Sequence, residues 1–350
     1  MRIFHFEMLV NSYGLAQEEK KLGHTSHLCI RKKSLFNLDI EYNLEFDKGT
    51  VFSKIFRILS LFFRIRRLYD VFHFQFGSSL LDFDYNFTNH LDLRFYPKKT
   101  KLVFTFNGDD ARLQYSVVDR IDFNEILSDY LLNKNHFNRN RRIAKIKKVD
   151  KYAHHIFAVN PDLLNFLPAR AQFIPYIIPN FYSIQRVSKN FNHEKFNVVH
   201  APSNKDVKGT KFILSALEYL KSKYPFIEVI LVENVRNDLA LQMYQKADLV
   251  IDQVIIGWYG ALSVEVMKMG IPVACYLRKE DFHHLPDGMA QDLMRSMVNI
   301  SPLNIIEPIE KLILNRMELA NFSNFAYEYV NKWHDPAKIA EKIISIYRKL

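Results

Sequence analysis

Residues Gly257–Leu277 read GWYGALSVEVMKMGIPVACYL, directly after the apolar run ADLVIDQVI, Ala247–Ile255. The pattern predicts a strand, a glycine-containing turn, a short helix stopped by Gly270 and Pro272, and a second apolar strand. No side chain that caps helices precedes the helix start; only Gly257 and Gly260 stand there. Its first backbone N–H groups are therefore expected to hold something else. A helix N-terminus at the carboxyl end of parallel strands is where an α/β domain binds phosphate. Glu265 sits about one turn into the helix. It reads either as a ligand carboxylate or as the i,i+3 partner of Lys268 on a buried core helix.

Outward from this stretch the pattern repeats. A second α/β unit is expected from Phe196: strand FNVVHA, loop PSNKDVKG, helix TKFILSALEYLKSKY, strand IEVILVE, helix, strand ADLVIDQ, helix, strand PVACYL. Phe212, Ile213, Ala216, Leu217 and Leu220 follow helical spacing. In the loop, Lys208 and Gly209 lead into Thr210, a candidate N-cap. Lys208 can meet a diphosphate as a point charge, or be an ordinary exposed lysine at a helix start. Upstream, strands are expected at Arg2–Phe6, Ser26–Arg31, Val71–Phe76, Lys101–Phe106, His155–Val159 and Gln172–Pro175, with helices between several of them. That alternation argues for a parallel sheet covered on both faces. The polar run Ser183–Lys195 marks a linker, and the amphipathic Pro336–Leu350 closes the chain. The expected domains are 1–185, 196–335 and a terminal helix, 336–350.

Composition narrows the class. The chain has 350 residues, 48% hydrophobic, with 29 Phe and 18 Tyr, enough for two cores. Cys29 and Cys275 both fall in expected strands and read as small buried residues, neither a disulfide frame nor a metal site, as in a reducing cytoplasm. His5 and Glu7 interrupt what would otherwise be an N-terminal apolar region, so no signal peptide is expected, and no uncharged run suffices to cross a bilayer. The net charge is +10. Eight basic residues lie between Lys134 and Lys151 (Lys134, Arg139, Arg141, Arg142, Lys145, Lys147, Lys148, Lys151) against Asp150 alone. Such a cluster reads either as a solvated helix face or as a site for an anionic membrane surface. Charge alone suggests nucleic acid, but no binding motif accompanies it, and none is expected as partner.

The run Trp258–Tyr259–Gly260, Glu265 and Gly270–Ile271–Pro272–Val273, with Lys208–Gly209 upstream, resembles the donor site of retaining glycosyltransferases of the GT-B fold, the large group 1 (family 4-like) type. The resemblance covers nearly the whole chain. It implies two Rossmann-like domains whose parallel sheets face each other across a cleft, with the C-terminal helix crossing back to the first domain. It implies a nucleotide-sugar substrate, no cofactor and no metal, and a glycan or lipid-linked acceptor, as in cell-surface polysaccharide synthesis on the cytoplasmic side of a membrane. By position, Glu265 takes the ribose. Lys208, Asn204 and Lys205, with Gly260, Ala261 and Tyr259, surround the donor diphosphate, and Arg236 reaches the nucleotide or lies on the surface. Three positions depart from the family pattern: Gly257 replaces the first Glu, Ser203 an Arg, and Asn107 a His. These departures suit the alternative of a scaffold that binds a nucleotide or a partner without turnover.

In the first domain the resemblance places Asn107–Gly108–Asp109–Asp110 in the loop facing the donor, with Asn107, Asp109 and Asp110 as candidate catalytic groups. The residues alone read equally as an Asp-rich turn. Asn11–Ser12–Tyr13–Gly14 reads as a turn after the first strand, with Tyr13 and Gly14 beside an acceptor or a phosphate. His73, between Phe72 and Phe74, reads as a core histidine. The helix expected over Val51–Leu68 has a basic side and a Phe-rich side, the pattern of a helix packed on a sheet and equally of an interfacial membrane helix.

Overall fold

The computed structural model describes residues 1–7, 9–32, 38–83, 89–113 and 129–350, without the side chains of Leu9 and of residues 129–138. It divides into two compact units, each built on its own parallel sheet.

The first unit comprises Met1–Leu113, Phe137–Pro179 and Pro336–Leu350. Its strands are β1 (Arg2–Phe6), β2 (Thr25–Ile30), β3 (Tyr42–Asn43), β4 (Val71–Gln75), β5 (Lys101–Phe106), β6 (His155–Ala158) and β7 (Gln172–Phe173), in the order β3-β2-β1-β4-β5-β6-β7. Every pairing is parallel, with Ile3 against Val71 and Val71 against Lys101 at the centre. All five β4 residues, VFHFQ, are buried, as a central parallel strand covered on both faces requires. The helices are α1 (Leu9–Lys21), α2 (Val51–Ile65) and α3 (Asp129–Tyr152). Phe4, Phe62, Phe72, Phe74 and Phe104 build one aromatic core, with the Phe74 and Phe104 rings 4.9 Å apart.

The second unit is built on Asn180–Asp335, and the start of α3, up to His136, is grouped with it. Its strands are β8 (Phe196–His200), β9 (Ile227–Leu231), β10 (Leu249–Ile251), β11 (Val273–Cys275) and β12 (Met297–Asn299), in the order β12-β11-β10-β8-β9. Its helices are α4 (Lys205–Lys208), α5 (Thr210–Lys223), α6 (Asn237–Tyr244), α7 (Ala261–Lys268), α8 (Met289–Ser296), α9 (Ile306–Leu314) and α10 (Met317–Trp333). Ile213, Ala216, Leu217 and Leu220 of α5 are buried, the row that helical spacing marks in the sequence. The last helix, α11 (Pro336–Lys349), packs against α1 in the first unit. Tyr347 of α11 meets Nδ1 of His73 at 2.6 Å, while Thr105 meets Nε2 at 2.6 Å, so His73 is a satisfied core residue.

Three sequence expectations change. Asn11–Ser12–Tyr13–Gly14 is not a turn but part of α1. Gly14 is required there by packing: a Cβ on it would meet Cγ2 of Ile177 at 2.5 Å. The basic residues of α3 are only in part a solvated face: Arg139, Lys147 and Lys151 are exposed, but others turn inward. Arg141 donates to the Phe83 carbonyl (3.2 Å), Arg142 to that of Arg112 (2.7 Å), and Lys145 to the Asp82 carboxylate (2.6 Å); the Lys134 side chain lies outside the described residues. Finally, the Phe-rich side of α2 is not wholly core: Ile58, Leu61, Phe62 and Ile65 are buried, whereas Phe52, Phe56 and Phe63 are exposed.

Each sheet has one place where the strand order reverses, between β1 and β4 in the first unit and between β8 and β10 in the second. Connections leave such a point in opposite directions and open a crevice at the carboxyl ends of the strands, where ligands of open α/β sheets bind.

Candidate functional site

At the second unit's reversal point, β8 ends in His200 and β10 in Ile251, and Asp252 follows, fully buried. Asp252 binds the ammonium of Lys208 and accepts from the Gly260 amide (2.6 Å) and the Ser263 hydroxyl (2.7 Å). Burial opposes its ionisation. The Lys208 charge and hydrogen bond, with the donors from Gly260 and Ser263, outweigh that and hold the carboxyl below its ordinary value. Asp252 therefore supplies to α7 the cap its own flanking sequence lacks. Gly260 is kept side-chain-free by this arrangement, since a Cβ would lie 3.2 Å from the Lys208 ammonium. The amides of Ala261 and Leu262, in the first turn of α7, have no acceptor within the helix. Lys208 has three donors, of which Asp252 needs one. Lysine and helix N-terminus thus form one anion-binding surface.

The turn that carries Lys208 is firmly built. Asn204 caps α4, accepting from the amides of Asp206 and Val207 at 3.1 Å each. Gly209 takes φ +74°, and a Cβ there would strike Val254 at 2.5 Å. His200 bridges the Ile251 carbonyl (2.8 Å) and Thr210 (2.9 Å), with burial keeping it neutral. Thr210, expected to cap α5, is tied to His200 instead. Gln253 locks the approach to Gly257, receiving the amides of Ile255 and Ile256 and donating to the carbonyl of Trp258 at 2.6 Å.

Glu265 is half-buried on α7 and accepts from the Asn237 side chain at 3.2 Å. Desolvation by the surrounding protein raises its carboxyl to about 7, with the Asn237 bond opposing. The alternative pairing with Lys268 is not made; Lys268 donates to Asn331 and lies over Phe181. Tyr259 points elsewhere: it is buried, with its hydroxyl 2.7 Å from Tyr329 and 2.8 Å from His334, so it anchors α10. Lys205 pairs with Glu233 at 3.0 Å, and Arg236 with its neighbour Asp238 on the surface.

The carboxyl edge of the first sheet has its own cluster. Asp110 is committed to its turn, accepting from the amides of Asn107 (3.0 Å) and Gly108 (2.6 Å), and burial raises it to about 6. Asp109 pairs with Arg112 at 3.0 Å, and Arg112 is held in turn by Asp162. Asn107 accepts from the Phe76 amide at 2.8 Å, while its buried Nδ2 has no partner among the described residues. Tyr13 and Gly14 lie inside α1, and Gly14 packs against Ile177.

The structure thus gathers Lys208, Gly260, Ala261 and the start of α7 at one point, with Asn204 shaping the turn and Glu265 one helical turn further. It does not bring Tyr259 or Arg236 into hydrogen bonds with that group. Reading the sequence missed Asp252 and Gln253, whose signal is an Asp-Gln pair ending an otherwise apolar strand. It also missed Glu7 and Arg31, which follow β1 and β2. Glu7 holds φ +67°, lies 3.5 Å from Arg31, and is raised by burial against that guanidinium.

No protein-family model matches the chain, and no curated protein does. Solved structures do match. Sucrose-phosphate synthase from Thermosynechococcus elongatus aligns with a TM-score of 0.67 at 13% identity, over 100% of this chain and 98% of that one. HepE from Anabaena, solved in complex with UDP-glucose, gives 0.65 at 11% identity over 100% of both. A glycosyltransferase from Rickettsia africae gives 0.59 at 14% identity, over 99% and 98%. Likeness at such identities is likeness of fold, and a fold does not by itself fix a reaction. The chain has the α/β GT-B fold: two Rossmann-like units with parallel sheets of seven and five strands, and a final helix that belongs to the first.

Proposed function

We propose that the protein is a glycosyltransferase that moves a sugar from a nucleoside diphosphate donor to a hydroxyl of a glycan or lipid-linked acceptor, with retention at the anomeric carbon. The observation that carries this reading is the Lys208 ammonium seated beside the N-terminus of α7 at the sheet's reversal point, with Glu265 one turn on. The structural neighbour solved with UDP-glucose supports the donor class. Lys208 and the first-turn amides meet the negative charge that grows on the departing diphosphate. Asp252 holds the Lys208 ammonium in place, so the donor site needs little rearrangement. Glu265 accepts from the ribose hydroxyls. Asn107, whose amide donor has no partner among the described residues, serves the acceptor as a hydrogen-bond donor. In this reading Asp109 and Asp110 only shape the loop, and no resident metal or cofactor is assigned. Two free, buried cysteines suit a reducing compartment, and cell-surface polysaccharide synthesis is the process the reading fits.

A second reading, a scaffold that binds nucleotide without turnover, has a specific observation in its favour: Asp252 already neutralises Lys208, and Gly257 leaves no carboxylate for the donor sugar. Thermal shift against UDP-, GDP-, ADP- and CMP-sugars identifies the donor, because a ligand of the native state raises the melting temperature. Nucleotide release in the presence of a glycan acceptor then separates the readings. Stabilisation with release supports transfer, stabilisation without release supports the scaffold, and no stabilisation by any of them removes the donor site.

A further inference from the structure

Helix α2 carries two apolar rows. Ile58, Leu61, Phe62 and Ile65 form one and are buried in the first unit's core. Phe52, Phe56, Leu59 and Phe63 form the other, at i, i+4, i+7 and i+11. It spans about 16 Å at the 1.5 Å helical rise. Phe52 is 85% exposed, Phe56 72% and Phe63 64%. Packing on the sheet accounts for the first row and for half-buried Leu59, and leaves the three phenylalanines uncovered. Single exposed apolar residues are ordinary, but three phenylalanines in one row mark a surface that something covers.

The charges on the helix itself have one sign, with exposed Glu45, Asp47 and Asp70 outside it. Val51–Leu68 contains Lys54, Arg57, Arg64, Arg66 and Arg67 and no acidic residue. Arg57 and Arg66 are partly used inside the molecule: Arg57 donates to the Lys48 carbonyl at 2.6 Å and Arg66 to the Phe95 carbonyl at 2.9 Å. Arg64 and Arg67 are exposed. Through Arg66, which also lies 5.4 Å over the Phe63 ring, the surface continues to exposed Phe95, on which Arg94 stacks at 4.7 Å.

We propose that α2 seats the protein on an anionic phospholipid surface, with Phe52, Phe56 and Phe63 at the boundary of headgroups and acyl chains and Arg64 and Arg67 on lipid phosphates. A bilayer offers an apolar layer directly beneath a layer of negative charge, and this helix presents the complementary pair. A second copy of the chain is a poor occupant. A two-fold contact sets the same patch against itself, which would bring the basic residues of one α2 against those of the other with no carboxylate in the segment to relieve them. On α3, Arg141, Arg142 and Lys145 are held within the molecule, and the exposed Arg139, Lys147 and Lys151 have no exposed large apolar side chain beside them among the described residues 139–152. The inference does not depend on the donor-site reading.

The test is co-sedimentation of the full chain with vesicles of phosphatidylcholine containing about one-third phosphatidylglycerol, an anionic content ample for basic segments. Binding is expected, weaker on pure phosphatidylcholine. The variant Phe52→Ser/Phe56→Ser/Phe63→Ser should bind at least about ten-fold more weakly, as should Arg64→Glu/Arg67→Glu. Both keep the native melting temperature, since these side chains are exposed. Phe56→Trp is the check independent of stability: its added emission should shift to the blue on anionic vesicles. The proposal is overturned if the native chain does not bind, or if the triple variant binds equally. It is equally overturned if light scattering finds a dimer that the triple variant dissolves, for then a second copy covers the row. Vesicle binding unchanged by Glu265→Gln, while nucleotide binding falls, separates this inference from the donor site.

Discussion

Asp252 and Lys208 show how a buried pair changes the meaning of a surface-looking lysine. From the sequence, Lys208 is a loop residue with little to pack against. In the structure its partner is fully buried and its own side chain is only 12% exposed. Removing one partner of a buried ion pair leaves the other charge stranded, at a cost of about 3–5 kcal/mol. Lys208→Ala is therefore expected to lower stability by that order in chemical denaturation. Lys208→Met/Asp252→Asn should lose less than the single change, because it strands no charge. An unchanged midpoint for Lys208→Ala would show that the pair is not made. The pH sign follows from the depressed Asp252 carboxyl. Its contribution is present above the unfolded value of about 3.9 and is lost as pH falls through the lower folded value.

Glu265 behaves in the opposite way. Raised to about 7, it is largely protonated in the free protein at mildly acidic pH. The folded state then holds a proton that the unfolded chain releases, so this group lowers stability as pH rises from about 4.3 to about 7. A ribose hydroxyl donates to the ionised form. Affinity for a nucleotide-sugar, whose diester phosphates do not titrate in this range, is thus expected to rise through pH 7. Calorimetric titration across that range should show the rise, and Glu265→Gln should flatten it and weaken binding about ten-fold. A pH-independent affinity in the native protein would take Glu265 out of the site.

At the scale of elements, most strands and helices were legible because their signals are periodic; β3 and β12, two and three residues long, are too short to carry one. The stretch that decides the fold delivered β10, α7 and β11 much as read, and α5 buries the row its spacing marks. The GT-B architecture was legible from the Gly-x-Pro-Val stop and the Lys-Gly loop. What was not legible is anything fixed by a partner distant in sequence. Asp252 binds the N-cap amide eight residues later, Tyr259 is claimed by Tyr329 and His334, and α3 spends Arg141 and Arg142 on carbonyls far along the chain. The four residues Asn11–Ser12–Tyr13–Gly14 carry turn chemistry, yet tertiary packing makes them helix: Asn11 accepts from the Ile177 amide at 2.9 Å, and Gly14 lets that strand of chain approach. Gly14→Ala is expected to overpack this contact and cost about 1–3 kcal/mol, with nucleotide affinity unchanged. If Gly14 instead cradled a phosphate, the same change would spare the melting temperature and abolish affinity, so one pair of measurements decides between them.

At the scale of the molecule, the two units stand differently along the chain. The sheet of the second unit and the elements that hold Lys208, Asp252 and Glu265 all lie within Asn180–Asp335. The first unit is assembled from separated segments, and its last piece, α11, arrives only at the end of the sequence. Ile339, Ala340, Ile343, Ile344 and Tyr347 of α11 are buried there, and Tyr347 satisfies His73 in the central strand. Burying the isoleucines Ile339, Ile343 and Ile344 alone contributes about 1.5–3 kcal/mol each, comparable in sum with the whole net stability of a domain. Hence deletion of 336–350 should unfold the first unit, whereas a fragment beginning near Asn180 and ending at Asp335 should fold by itself and keep its nucleotide affinity. Circular dichroism melts of the two truncations, with and without a donor nucleotide, test this directly. A cooperative, ligand-shifted transition is expected for the 180–335 fragment. For the chain lacking α11, the expected result is a single ligand-shifted transition, with the first unit's signal restored by a synthetic 336–350 peptide. If both truncations melt without cooperativity, the two units depend on each other for folding, and the division argued here describes packing without describing stability.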